Sequence, residues 1–240
     1  MFEPRLYRSQ VLAKDLQPFE VKVNETDLLV YASNDLTSIA YERVHAYRNQ
    51  LEAFIATYPV FLKSFVPIKV PDSAPDIAKS MAEAARIADV GPMAAVAGAI
   101  AAYVGRDLLN YCDEVIIENG GDIFIKTNIE RKLGIYAGDS PLSNKLAVLI
   151  KPEDSPLGIC TSSGTVGHSV SFGQADAVVV FSKSASLADA AATKIGNLTR
   201  SKDDINKAIK FAQGLPGVEG VIIIAGDGLG GWGKFEFVPA

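Results

Sequence analysis

Three short segments of the chain carry residue types that could do chemistry. The densest is 159–177, ICTSSGTVGHSVSFGQADA, which holds one of two cysteines and one of two histidines. Its fragment GHSVS, 167–171, approaches the G-x-S-x-G nucleophile elbow but ends in Ser171. An elbow needs strand, sharp turn and helix, with a histidine further downstream. Here a glycine loop and an apolar run follow, and no histidine comes after His168. The other histidine, His45, falls inside a helical pattern, so a serine triad is disfavoured. A Ser/Gly loop leaving a strand can instead present successive N–H groups to an anion. Thr161, Ser162, Ser163 and Gly164 are the candidates for that role, and a plain polar turn fits the same letters. Cys160 would be reactive only with a lowered pKa.

The second segment is ENGGDIF, 118–124, where Asn119 and Asp122 bracket Gly120 and Gly121 between apolar runs. Glycine pairs make tight turns, and an amide and a carboxylate at a strand end can also grip a ligand's polar edge. The third is SLADAAATKIGN, 186–197. Asp189 and Thr193 stand four apart, on one helical face. Two such oxygens suit a hard cation; an acidic first turn and a packed threonine are the plainer account. A fourth string, GDGLGG at 226–231, fits G-x-G-x-x-G. It lies between two strands, with no helix N-terminus to receive a pyrophosphate, so a hairpin turn is expected.

The elements that must position these residues follow from period and punctuation. Residues 19–33 read as a hairpin about Asn24-Glu25. Asp35 caps a helix over 36–57, which Pro59 ends. Residues 61–74 read as extended or looped, and Pro75 opens a helix over 75–88. An Ala/Gly-rich helix spans about 92–110. Strands flank Gly120-Gly121 and recur at 132–137, 145–150 and in ADAVVVFSK. Ser186 caps a helix over 187–197, Asp203 starts one over 204–213, and 218–225 with 232–238 form a closing hairpin. The order strands, two helices, strands occurs twice, in 19–127 and 145–238. That predicts a pseudo-duplicated α+β fold, and the lack of regular βαβ alternation disfavours a Rossmann sheet.

A formal net charge of −5 argues against nucleic acid or an anionic membrane as partner, since both call for a basic field. Two distant cysteines make no disulfide framework. The opening MFEPRLYRSQ has no apolar signal core, and the uncharged run Val90–Gly105 is too short to span a bilayer. A cytoplasmic protein is expected.

Four segments in order, VGPMAAVAGAIA, ENGGDIF, GICTSSGTVGHSVSFGQADAVVV and LADAAATKIGN, closely resemble uncharacterised protein family 0280, over residues 28–238. That family is similar to ApbE, the magnesium-dependent FAD:protein FMN transferase. ApbE proteins carry a GAIAKGYAVD-like helix, an N-x-G-G-D turn, a T-S-G loop with a following histidine, and an A-D-A-L-x-T helix. Gly98, Ala99, Ile100, Ala101 and Asp107 match the first, with Ala102 in place of the lysine and Tyr103 in place of a glycine. Asn119, Gly120, Gly121 and Asp122 match the turn; Ser162, Ser163 and Gly164 match the loop; His168 stands for the histidine. The D-P-x-T-G that should follow, and an early M-G-T, are missing.

The resemblance implies an ApbE-like, T-fold-like α+β domain over 1–240, with mixed or antiparallel sheets, packed helices and an internal pseudo-duplication. It implies Mg²⁺ on Asp189, Thr193 and a backbone carbonyl near Ala99. FAD, or another small phosphorylated ligand, would meet Asn119, Gly120, Gly121, Asp122 and the loop Thr161, Ser162, Ser163, Gly164. His168 would transfer a proton. No nucleic acid or membrane partner is expected. A homo-oligomer is, with the Ala/Gly-rich helix as its packing surface. Two alternatives stand beside transfer or cleavage at a pyrophosphate: a flavin- or metabolite-binding protein without the transferase, and thiol or sulfur chemistry through Cys160.

Overall fold

The computed structural model describes residues 13–164 and 173–240. The chain opens with a hairpin, β1 (Gln17–Val23) and β2 (Thr26–Ala32), around Asn24-Glu25. Asn24 takes the left-handed conformation (φ 53°), which asparagine tolerates better than most residues. Helices α1 (Thr37–Thr57), α2 (Val60–Lys63), α3 (Asp76–Ala88) and α4 (Val96–Leu108) follow, then a second hairpin, β3 (Val115–Asn119) and β4 (Asp122–Lys126). After β5 (Arg131–Gly134) and β6 (Leu146–Ile150) the pattern restarts. Strands β7 (Leu157–Ser162) and β8 (Ala177–Ser182) lead to helices α5 (Ala185–Leu198) and α6 (Ile205–Gln213). Strands β9 (Val218–Ala225), β10 (Gly228–Gly233) and β11 (Glu236–Pro239) complete the chain.

The predicted duplication is visible in the sheet order. Eight strands run β1-β2-β3-β4-β7-β8-β9-β10, each paired antiparallel to its neighbour. Each quartet is two hairpins with helices between them, and the β4–β7 pairing joins the quartets. The fold is α+β, with antiparallel sheets.

The large sheet is buried on both faces. Alternate side chains of a strand point to opposite faces. Ile117, Phe124, Val178, Val180, Val221 and Ile223 pack under the helices. Ile116, Ile123, Ile125, Val179, Phe181, Ile222 and Ile224 pack against Leu133, Ile135, Val148 and Ile150 on the other side. The second face is covered by a small sheet in the order β11-β6-β5. This explains why β3 and β8 read as nearly unbroken apolar runs.

Several predicted boundaries change. The loop expected from 61 contains the end of α2. The helix expected over 92–110 divides into a 3₁₀ turn, Pro92–Ala95, and α4. Ser184, not Ser186, caps α5: its hydroxyl accepts from Leu187 N at 3.3 Å. Ser186 is buried and shares a 3.1 Å hydrogen bond with Ser80 of α3. The closing hairpin pairs β9 with β10, so GDGLGG supplies a turn and most of a strand. Its glycines admit α6, since a Cβ on Gly230 would lie 2.3 Å from Ile205 Cγ2. Strand β11 leaves that hairpin to pair with β6.

Helix α4 spends its small residues inside the protomer. A Cβ on Gly105 would meet Phe124 Cδ1 at 2.3 Å, and Ala99, Ala101, Ala102 and Val104 are buried. Most of the helix is therefore an internal packing element. Among the described residues no single helix is long and apolar enough to cross a membrane; the pair Asp76–Ala88 and Pro92–Leu108 is bent by 104°.

Candidate functional site

The β3–β4 turn, the start of α4, the end of β7 and the first half of α5 meet on the helical side of the sheet. Gly120 (φ 68°) and Gly121 (φ 102°) close the turn in backbone conformations that side chains resist. Asn119 and Asp122 pair across it and share the parity of Ile117 and Phe124, so they face the helices. Both are 8% exposed. Asn119 Nδ2 donates to the Ala97 carbonyl at 3.0 Å, tying the turn to α4.

Asp189 reaches the same place from α5. Its Oδ2 accepts from Gly98 N at 2.9 Å, and the Ala97 N–H adds a second donor. The carboxylate thus caps the N-terminus of α4 from another helix, where N–H groups lack intrahelical partners. The approach depends on glycine: a Cβ on Gly98 would lie 2.4 Å from Ala185 O and 2.9 Å from Asp189 Cβ. Helix α5 lies equally close to β7, since a Cβ on Gly158 would sit 2.3 Å from Ala185 Cα. Thr193, one turn beyond Asp189, is half-buried. Ala99 is fully buried in the first turn of α4.

The electrostatics of this corner are unusual. Burial, then the charges of Asp189 and Glu118, push Asp122 well above the ordinary carboxylate range, despite hydrogen bonds from Cys160 and the Thr161 N–H. Burial likewise raises Asp189 to about 7, against the two N–H donors from α4. No lysine or arginine pairs with either carboxylate among the described residues. Buried carboxylates normally have a cationic partner, so this pair is short of positive charge. Two carboxylates with a hydroxyl one turn away are the oxygen donors a hard divalent cation takes. The residues present fit such an ion, although no three His, Cys, Asp or Glu side chains cluster as a metal site among the described residues.

The structure brings Asn119, Gly120, Gly121, Asp122, Thr161 and Asp189 together. His168 lies outside the described residues. The expected row of N–H donors is largely taken up inside the protein. Gly121 N donates to Glu118 Oε1 at 2.7 Å, Thr161 N to Asp122, and Gly164 N to Ala175 O at 2.9 Å. Cys160 is fully buried. Burial and the charges of Asp122 and Asp189 push its thiol well above the usual range, which removes the basis for a reactive thiolate.

Two contributors were not read from sequence. Glu118, 3% exposed, closes the turn through Gly121. In the register of N-x-G-G-D it takes the place of the asparagine and Asn119 falls at x, so the match expected at Asn119 belongs to Glu118's position. Gly98 matched a motif, but its contact with Asp189, 91 positions away, leaves no local trace.

Known proteins agree with this architecture. A family model described as AbpE bacteria matches residues 9–224. A UPF0280 protein of Methanococcus maripaludis is 47% identical over 221 residues, covering 90% of each chain. One of Methanocaldococcus jannaschii is 42% identical over 218 residues, covering 88% of each. Among solved structures, a mutant of the flavin transferase ApbE from Vibrio cholerae is similar, with TM-score 0.59 and 13% identity, covering 90% of this chain and 96% of that one. The ApbE protein of Thermotoga maritima gives TM-score 0.54 and 12% identity, covering 92% and 96%. At these identities the structural likeness concerns the fold.

Proposed function

The chain belongs to the AbpE bacteria family, and from that premise we propose that it binds FAD, or a similar small phosphorylated ligand, together with Mg²⁺ at the corner between Asp122 and Asp189. The observation that carries this reading is the buried, raised-pKa carboxylate pair with no lysine or arginine paired to it among the described residues. Asp189 and Thr193 would hold the ion, with a carbonyl near Ala99 as the third donor that the ApbE resemblance implies. Bound there, Mg²⁺ supplies Lewis-acid polarisation of a pyrophosphate oxygen. Asp122 and the β3–β4 turn would orient the ligand. Thr161 borders that turn, since a Cβ on Gly121 would lie 3.9 Å from Thr161 Cβ, and the loop Ser162, Ser163 and Gly164 that follows it would complete the ligand's surroundings. His168 is the proposed proton-transfer group.

A second reading keeps the binding and drops the transfer. In favour of it, Ala102 occupies the place of the ApbE lysine and is buried. Tyr103 beside it packs edge-on against Tyr47, with ring centroids 5.2 Å apart.

Thermal melting with FAD, with and without Mg²⁺, tests the site. The expected result is an FAD-induced rise in Tm that requires Mg²⁺ and is lost in Asp189→Asn. Absence of any shift with either compound rules the site out. Release of FMN or AMP in the same mixture separates transfer or cleavage from binding alone.

A further inference from the structure

We infer that Asn119 is a positioning residue: with Asp189 it grips one peptide group, Ala97–Gly98, from both ends, and so fixes the Asp189 carboxylate where the cation would bind. The inference rests on the cation reading proposed above. The amide Nδ2 of Asn119 donates to the Ala97 carbonyl at 3.0 Å. The N–H of the same peptide group, that of Gly98, donates to Asp189 Oδ2 at 2.9 Å. A carbonyl oxygen only accepts, so the amide nitrogen of Asn119, and not its Oδ1, must face Ala97. In a helix that carbonyl also takes the N–H four residues on, and its second lone pair serves Asn119. A donor on the carbonyl polarises the peptide group and strengthens its N–H as a donor to Asp189.

This grip closes a circuit of contacts around the site. Helix α5 lies on β7, where a Cβ on Gly158 would sit 2.3 Å from Ala185 Cα. Strand β7 pairs with β4, Cys160 opposite Asp122, and β4 pairs with β3, Asp122 opposite Asn119. Asn119 then joins β3 to α4, and Gly98 joins α4 back to Asp189 of α5. Two turns further along α4, the helix is seated by shape, since a Cβ on Gly105 would lie 2.3 Å from Phe124 Cδ1. Its first turn is seated by the two polar bonds. Without the Asn119 donor, the start of α4 can shift against the β3–β4 turn, and Asp189, bonded to it, shifts relative to Asp122. A hydrogen bond outside the ligand set sets a metal ligand's orientation in this way.

The test labels the protein with ¹³C-carbonyl alanine and ¹⁵N-glycine, which marks the Ala-Gly peptides 97–98, 137–138 and 225–226. One NMR spectrum then reports both ends of the gripped peptide against two internal controls. Wild type is compared with Asn119→Leu, which keeps the bulk without the donor, and each is titrated with Mg²⁺. In metal-free Asn119→Leu the Ala97 carbonyl and Gly98 N–H signals should move while the two control peptides stay in place. Its Mg²⁺ affinity should fall about tenfold, the low end of what such a partner contributes. Wild-type Mg²⁺ affinity in Asn119→Leu overturns the inference and leaves the cation site standing. So does a loss of affinity with the 97–98 signals unmoved, or with the controls moved as far. If Asn119→Leu does not fold, Asn119→Ala is read by the same criteria. Failure of both to fold would make Asn119 a requirement of the fold and not a positioning residue, which overturns the inference as well. Wild type that gives no response to Mg²⁺ removes the cation reading and this inference together.

Discussion

The second hairpin of each half ends in a glycine turn beside an aspartate, and the two turns have opposite chemistry. In β3–β4 the turn is Gly120-Gly121 and the acid is Asp122; in β9–β10 it is Gly226-Asp227. Both use left-handed glycine. Both have one turn N–H taken by a carboxylate at 2.7 Å, Gly121 by Glu118 and Gly226 by Asp176. Yet Asp122 is buried and its carboxyl is raised, chiefly by burial. Asp227 is exposed, and a hydrogen bond from Lys202 at 2.9 Å lowers it. The difference lies above the turns. Helices α4 and α5 cover the first and bring Asp189, while the second opens to solvent. A turn motif sets the backbone, and the elements packed over it set the charge state.

The sharpest way to break this comparison is to neutralise one acid on each side. Removing one partner of a buried charged group costs about 3 kcal/mol or more. Asp189→Asn should therefore weaken Mg²⁺ binding by about two orders of magnitude and abolish Mg²⁺-dependent FAD binding. Asp227→Asn should leave both unchanged. Calorimetry on the two variants checks this. Equal losses would mean that the covered turn holds no special site.

Glycine substitutions give the next largest effect. Gly98→Ala places a methyl 2.4 Å from Ala185 O, an overpacking that costs about 1–3 kcal/mol. It also moves α4 away from Asp189, so Mg²⁺ affinity should fall with stability. Gly226→Ala meets nothing within 4 Å and bears only the left-handed backbone cost of about 1 kcal/mol, with no change in binding. Denaturant melts alongside metal titrations separate the two. A Gly98→Ala protein with native affinity would show that α4 does not position Asp189.

What the sequence disclosed divides along the same line. Asn24-Glu25, Gly120-Gly121 and the i,i+4 pair Asp189 and Thr193 are local patterns, and the duplication follows from the order of elements. Contacts between distant segments left no such trace. Gly98 N meets the Asp189 carboxylate across 91 positions, and nothing local to either residue announces that contact. Arg131 is 3% exposed because Asp15, Glu114 and Thr127, from three other places, surround it, with Nη2 2.8 Å from Asp15 Oδ2 and 2.9 Å from Glu114 Oε2. The crossing of β11 to the small sheet depends on β6, about 90 positions earlier, where Phe237 pairs with Val148. Side-chain chemistry was legible where one turn or one helical face holds it, and illegible where packing assembles it.

The pH dependence of stability should also differ between the turns. Asp122 and Asp189 are raised on folding. The folded protein then keeps protons that the unfolded chain has released, and stability falls as pH rises. For Asp189 the window runs from the ordinary value of 3.8 to about 7. Metal-free protein in chelator should lose Tm steadily across that window, and Asp189→Asn should flatten the decline. Saturating Mg²⁺ should flatten it as well, because the ion stabilises the ionised pair. A flat profile in metal-free wild type would mean that the carboxylates are solvated after all.

The smallest effect is expected at the open turn. Lys202 and Asp227 are both largely exposed, with side-chain exposures of 59% and 72%, and exposed ion pairs contribute little to stability. Asp227, lowered by its lysine, contributes only above the usual carboxylate range and loses that contribution on acidification. This sign is opposite to that of the buried pair. Lys202→Ala keeps the Cβ, which a Cβ on Gly228 would approach to 2.7 Å, so the packing of this corner against β10 survives and only the ion pair is lost. The melting temperature should be indistinguishable from wild type at moderate salt, and any difference at low salt should vanish as the ionic strength is raised. A large, salt-insensitive loss would instead show that the second turn depends on its charges as the first does, and that cover by helices is not what separates them.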